Sequence, residues 1–113
     1  MNSLNDYQAA AMRTAKRMSE DADLMHAALG LAGEAGEFAD CAKKYLVYAK
    51  PFDRENAIEE VGDILWFCAL ACSTLGIDLA TVAQQNIEKL RLRYPEKYAD
   101  HLAQARLDKA GNP

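Results

Sequence analysis

The chain has 113 residues, 50% hydrophobic and 27% charged, with a formal net charge of −4. That length fits a single domain with a modest core, and the acidic balance argues against a surface built for nucleic-acid polymers. Residues 1–20 carry charges throughout with no apolar signal-peptide core, and no apolar run approaches the roughly 20 residues of a membrane span. The expectation is therefore a soluble, cytoplasmic protein with no membrane contact. Cys41, Cys68 and Cys72 are odd in number, form no C-x-x-C and fall in apolar helical patterns, which reads as buried reduced thiols.

Periodicity predicts a first amphipathic helix over 3–19, with Ser3 or Asn5 as N-cap and Leu4, Tyr7, Ala11, Ala15 and Met18 on its apolar stripe. The acidic stretch 20–23 reads as a short connection, with Asp23 capping the next helix. That second helix is expected over 24–49 and carries Gly30, Gly33 and Gly36 at three-residue spacing. Each interior glycine costs about 1 kcal/mol relative to alanine, so close approach of another backbone or a ligand is the natural reason for them. Lys50-Pro51 breaks the pattern, and Asp53 should cap a third helix over 54–75. The run from Ile64 to Leu75 in that helix has no charge and must be buried, which points to an oligomer. Gly76 should end this helix as a left-handed cap, and Asp78 should cap a fourth over 79–93, stopped by Pro95. The region 99–113 is polar, with a short helix around 101–107. No period-two strand pattern occurs. The expected class is all-α, a single domain over 1–113 with its core at about 4–98.

Four carboxylates organise the chain: Glu34-x-x-Glu37 and Glu60-x-x-Asp63. Residues three apart share a helix face, and the short connection near 50–52 should make the second and third helices an antiparallel hairpin. In such a hairpin, residues at one height have a constant sum of numbers. Glu34 with Asp63 and Glu37 with Glu60 both give 97, so the two pairs lie level; a turn centred near residue 51 would set a sum near 102, an axial shift of about 4 Å that long carboxylate side chains absorb. Like charges this close raise one another's pKa unless a counter-charge is bound. Oxygen ligands without His or Cys suit a hard divalent cation, Mg²⁺ with Mn²⁺ as substitute. A solvated acidic face is the alternative, but the neighbours here are glycine, alanine, Phe38, Val61, Ile64 and Leu65 rather than lysines. A di-iron site would need Glu-x-x-His on two helices, and neither His26 nor His101 stands three residues after a glutamate.

The fourth helix places Asn86, Lys89 and Arg93 on one face, and Lys43 and Lys44 follow Glu37 by about two turns. Both groups could meet phosphate, although basic residues at a helix C-terminus also answer the helix dipole. Trp66, three after Asp63, could stack on a base, whereas His26 reads as a packed or surface residue. Together the stretches GLAGEAGEFAD (30–40), KK (43–44), EEVGDILWF (59–67) and NIEKLRLRYP (86–95) resemble the MazG-like, all-α nucleoside triphosphate pyrophosphohydrolases. The E-x-x-E…E-x-x-D signature appears with 22 residues between its halves, and the resemblance covers about residues 24–98.

The resemblance implies cleavage of an NTP or dNTP between the α- and β-phosphates, with Mg²⁺, giving a monophosphate and pyrophosphate. It implies a four-helix-bundle type of fold, assembled as a homodimer or homotetramer. Glu34, Glu37, Glu60 and Asp63 match the family's metal positions; Asn86, Lys89 and Arg93 match its nucleotide-contacting motif more loosely. Chemically, Glu34, Glu37 or Glu60 could activate the attacking water, with Glu37 slightly preferred. The competing expectations are a narrower relative acting on phosphoribosyl-ATP and a non-catalytic helical module whose acidic face binds a basic partner.

Overall fold

The computed structural model describes residues 1 and 3–109, and these are all-helical with no strand among them. They form α1 (Leu4–Met12), α2 (Glu20–Leu46), α3 (Arg54–Thr74), α4 (Leu79–Arg93), α5 (Asp100–Ala105) and a 3₁₀ turn at Leu107–Lys109. The chain divides into two compact units, Met1–Leu79 and the part beginning at Ala80. No single helix among the described residues is long and apolar enough to cross a membrane.

In the first unit, Ser3 caps α1, its hydroxyl accepting from the Asp6 N–H. The helix then stops at Met12, seven residues short of the expected end. No glycine or proline marks this stop. The Thr14 hydroxyl bonds back to the Ala11 carbonyl at 2.6 Å and accepts the Trp66 indole N–H at 2.8 Å, which commits the chain to a turn. The acidic stretch 20–23, expected as a connection, is instead the first turn of α2. Ser19 is the cap, accepting from the Ala22 N–H, and the acidic residues favour the positive end of the helix. Asp23 is 2% exposed and reaches back to the Arg17 guanidinium (2.9 Å) and the Met18 N–H (3.0 Å).

The α2–α3 hairpin has one register along its length. Tyr45 meets Phe52 edge-to-face at 5.7 Å, the Asn56 amide donates to Cys41 Sγ at 3.0 Å, and Gly30 lies under the Phe67 ring. The numbers in each of these pairs add to 97, the same as for Glu34 with Asp63, and five below the sum that a turn centred near residue 51 would set. α2 ends three residues early, at Leu46, and Ala49 takes a left-handed conformation (φ 56°) before Pro51. Asp53 caps α3 as expected, accepting from the Asn56 N–H. At the far end Gly76 (φ 71°) closes a Schellman motif, with Ile77 N–H on Cys72 O and Gly76 N–H on Ser73 O.

The core of this unit is built from small side chains, Ala11, Ala27, Cys41, Ala57, Ala69 and Cys72, with Leu70 the largest apolar residue fully enclosed. Small residues let the helices approach closely. α1 packs on α3, and the Gln8 amide donates to Ser73 Oγ (3.0 Å) and Ile77 O (3.2 Å) while accepting the Leu79 N–H (2.7 Å). The charge-free run Ile64–Leu75 is therefore largely covered by its own chain, with only Leu75 exposed. Further uncovered apolar side chains lie elsewhere, among them Met25, Leu29, Leu46, Val47, Ile58 and Val61, each more than half exposed.

Only one of the three α2 glycines is required by packing within the chain. A Cβ at Gly30 would stand 2.1 Å from the Phe67 ring, whereas at Gly33 or Gly36 it would meet nothing within 4 Å. Gly30→Ala should therefore lower stability by about 1–3 kcal/mol through overpacking. Gly33→Ala should escape that penalty, since its Cβ meets nothing within 4 Å in its own chain. Chemical denaturation of the two variants checks this; equal effects would contradict the packing assigned to Phe67.

Candidate functional site

α2 and α3 both run helically through their acidic pairs, so the hairpin register decides which carboxylates meet. Oxygens of Glu34, Glu60 and Asp63 converge within 4.8 Å of one another. Glu37, one turn further along α2, stands outside this trio and is exposed, yet its charge still reaches Glu60. Glu60 Oε2 is shielded from solvent and has no hydrogen-bond partner among the described residues. A buried carboxylate oxygen of this kind demands a proton or a cation.

Electrostatics point the same way. The Glu60 carboxyl is pushed from its ordinary 4.5 up to about 7 by its hydrogen bond with Glu34, then by burial, then by the charges of Glu34, Glu37 and Asp63. Tyr7 of α1 is close enough to be affected: burial first, and the Asp63 charge second, hold its hydroxyl above the ordinary tyrosine value. All the donors are hard oxygens, and three converge on one point. This set fits a divalent cation of the Mg²⁺ or Mn²⁺ type.

Beside the cluster on α3, Trp66 spends its indole N–H on Thr14 and packs edge-to-face on Phe67 at 4.9 Å. His26 is exposed at the rim of this aromatic group, 5.4 Å from Phe67 and 6.2 Å from Trp66. Lys43 lies over the Tyr48 ring, 5.5 Å from its centre, and Lys44 pairs with Asp40 at 3.0 Å. Clefts in this unit lie away from these groups or only beside them. One, of about 450 Å³, is lined by Arg17, Asp23, Thr74 and Gly76 among others; another, of about 250 Å³, by Cys41, Lys44, Lys50 and Asn56 among others. The acidic trio lines neither.

Asn86, Lys89 and Arg93 belong to the second unit, on α4. Asn86 and Lys89 are exposed, while Arg93 is held by Asp108. Three residues near these groups escaped the sequence: Tyr7, treated only as part of an apolar stripe; Phe67; and Asp108. Phe67 was findable, since the register that levels the acidic pairs also sets it opposite Gly30. Asp108 carries no such signal.

Comparison with known proteins gives two matches. The model of the MazG nucleotide pyrophosphohydrolase domain matches residues 24–98. The Gene 37 protein of Mycobacterium phage L5 is 37% identical over 75 residues, covering 62% of this chain and 65% of that protein, so the chain spans just under two thirds of this relative's length. No solved structure matches significantly.

The Glu60 shift has a measurable consequence. Its folded pKa lies above its unfolded value, so the folded state holds the extra proton between them. The stability this contributes is fully present below about pH 4.5 and is lost as pH rises through about 7. In chelator, the melting temperature of the protein should fall across this window relative to Glu60→Gln, and a divalent cation at pH 8 should restore it. Parallel pH profiles for the two proteins would contradict the carboxylate pair.

Proposed function

The chain belongs to the MazG nucleotide pyrophosphohydrolase family, and from that premise we propose that it is a divalent-metal-dependent hydrolase of nucleoside triphosphates. The reaction is attack of water on the α-phosphorus, breaking its bond to the oxygen bridging to the β-phosphate and releasing a monophosphate and pyrophosphate. The observation that carries the proposal is the convergence of Glu34, Glu60 and Asp63 within 4.8 Å, with one oxygen of Glu60 left unpartnered and shielded. Excess or non-standard dNTPs are the substrate class proposed, and Mg²⁺ is the proposed ion.

Glu34, Glu60 and Asp63 would hold the cation, with Glu37 able to join them as a fourth ligand. Such an ion supplies charge neutralisation on the triphosphate and polarisation of the phosphoryl group under attack. The remaining work falls to side chains of the protein. Glu37 is exposed and outside the trio, which favours its carboxylate as acceptor of the water's proton; Glu34 and Glu60 are the other candidates. Asn86, Lys89 and Arg93 are assigned to the phosphates, where fixed positive charge meets the charge growing on the pyrophosphate. Lys43 is a further phosphate contact. Trp66, held by its N–H to Thr14, presents a rigid ring for a base.

A homodimer, or a homotetramer built from it, completes the proposal. Met25, Leu29, Ile58 and Val61 are exposed on the hairpin, and Gly33 and Gly36 have open space where a Cβ would stand. A second copy of the chain is the occupant that fits an apolar face with such small residues beside it.

A panel of NTPs and dNTPs with Mg²⁺ should yield pyrophosphate and monophosphate; orthophosphate alone, or no product, would sink the assignment. Glu60→Gln and Asp63→Asn should each reduce pyrophosphate release by about 100-fold or more, while leaving the metal-free fold intact. A large loss of melting temperature with unchanged turnover would instead assign these carboxylates a structural role. Light scattering should give a mass of at least two chains; a monomer would contradict the assembly.

A further inference from the structure

Asp108 lies in the polar C-terminal region to which the sequence assigned no role. Its side chain is 0% exposed, and its partner is Arg93 near the end of α4. Arg93 Nε donates to Asp108 Oδ1 at 2.9 Å and Arg93 Nη2 donates to Oδ2 at 3.2 Å. The carboxylate thereby occupies one edge of the guanidinium as a bidentate pair. An arginine offers five N–H groups in a planar fork. Two are used here; the Tyr94 side chain is a further hydrogen-bonding neighbour of the guanidinium, and the rest of the fork is not taken by Asp108. The Arg93 side chain keeps 21% exposure, whereas Asp108 keeps none.

The second unit is built to bring Asp108 to this place. The Tyr98 ring packs on Tyr94 at 5.2 Å, and the Tyr98 hydroxyl donates to Asp100 at the start of α5. Arg106 then turns the chain through a left-handed conformation (φ 51°), and the Lys109 N–H bonds to the Arg106 carbonyl across the short turn that carries Asp108. Arg93 also lies beside the Tyr94 ring, 5.9 Å from its centre. Its long side chain is thus confined before any ligand arrives.

We propose that Asp108 is a positioning residue, fixing the Arg93 guanidinium by one edge so that its open end is offered to nucleotide phosphate. This rests on the assignment of Arg93 to the phosphates made above. A free arginine loses rotamer entropy when it grips a phosphate. One already clamped has lost that freedom on folding, which favours binding. The pair also explains why this polar C-terminal segment is folded onto the end of α4.

The test uses the full chain in four forms: wild type, Asp108→Asn, Arg93→Gln and the double variant. Two quantities are read, KM for a dNTP with Mg²⁺ and the calorimetric Kd of pyrophosphate with Mg²⁺. Asp108→Asn should raise both by about 5- to 10-fold with kcat changed less than about 2-fold, and should be silent on both in the Arg93→Gln background. Asp108→Glu, which keeps the charge, should recover part of the loss. A fall in Kd on Asp108→Asn would overturn the proposal by showing that the carboxylate competes with phosphate. An unchanged Kd, or an equal rise with Arg93 already removed, would overturn it as well. If Arg93→Gln itself leaves pyrophosphate binding unchanged, the phosphate assignment of Arg93 fails and this inference with it. Absence of turnover in the wild type would instead count against the hydrolase reading, leaving the pyrophosphate Kd to decide the role of Asp108.

Discussion

The register between α2 and α3 is the constraint on which the rest depends. Tyr45–Phe52, Cys41–Asn56 and Gly30–Phe67 set it from the loop end to the far end of the hairpin, at the level that also pairs Glu34 with Asp63. A slip of one turn would move about 5.4 Å along the axis. Glu34 would then move away from Glu60 and Asp63, and the Phe67 ring would lose its place over Gly30. The close glycine contact and the thiol–amide contact are therefore as much part of the site as the acidic residues.

Holding three carboxylates together works against the fold. The cost shows in the Glu60 carboxyl, driven up to about 7 and left with one oxygen, Oε2, that has no partner among the described residues. A folded structure keeps such an arrangement where function uses it. A bound cation would remove the repulsion and satisfy the orphaned oxygen in one step, and on the proposed reading its binding would stabilise the hairpin. The open space over Gly33 and Gly36 and the exposed Leu29 and Val61 belong to the same hairpin.

Much of this was legible in the sequence. The all-α class, the Ser3 and Asp53 caps, the Gly76 terminus and the span of α4 follow from local chemistry that acts within four residues. The hairpin rule brought the acidic pairs near one another, but a short loop alone sets a sum near 102 rather than 97, and Glu37 stands outside the cluster that forms. The end of α1 did not, because Thr14 stops that helix with help from Trp66, 52 positions away. The start of α2 was misplaced for a related reason: Asp21 and Asp23 look like loop residues until Ser19 is seen to cap the helix. Asp23 itself is buried against Arg17, a tertiary contact. The exposed apolar residues were expected in the charge-free half of α3, yet α1 helps to cover that half and they lie on the other parts of the hairpin.

The central claim is that Glu34, Glu60 and Asp63 form a divalent-cation site. Titrating Mn²⁺ into chelator-stripped protein at pH 8, followed by electron paramagnetic resonance, tests it without nucleotide or turnover. Saturable binding that is lost in Glu60→Gln and weakened in Asp63→Asn is the expected result. Binding of equal strength in Glu60→Gln, or none in the wild type, would contradict the claim.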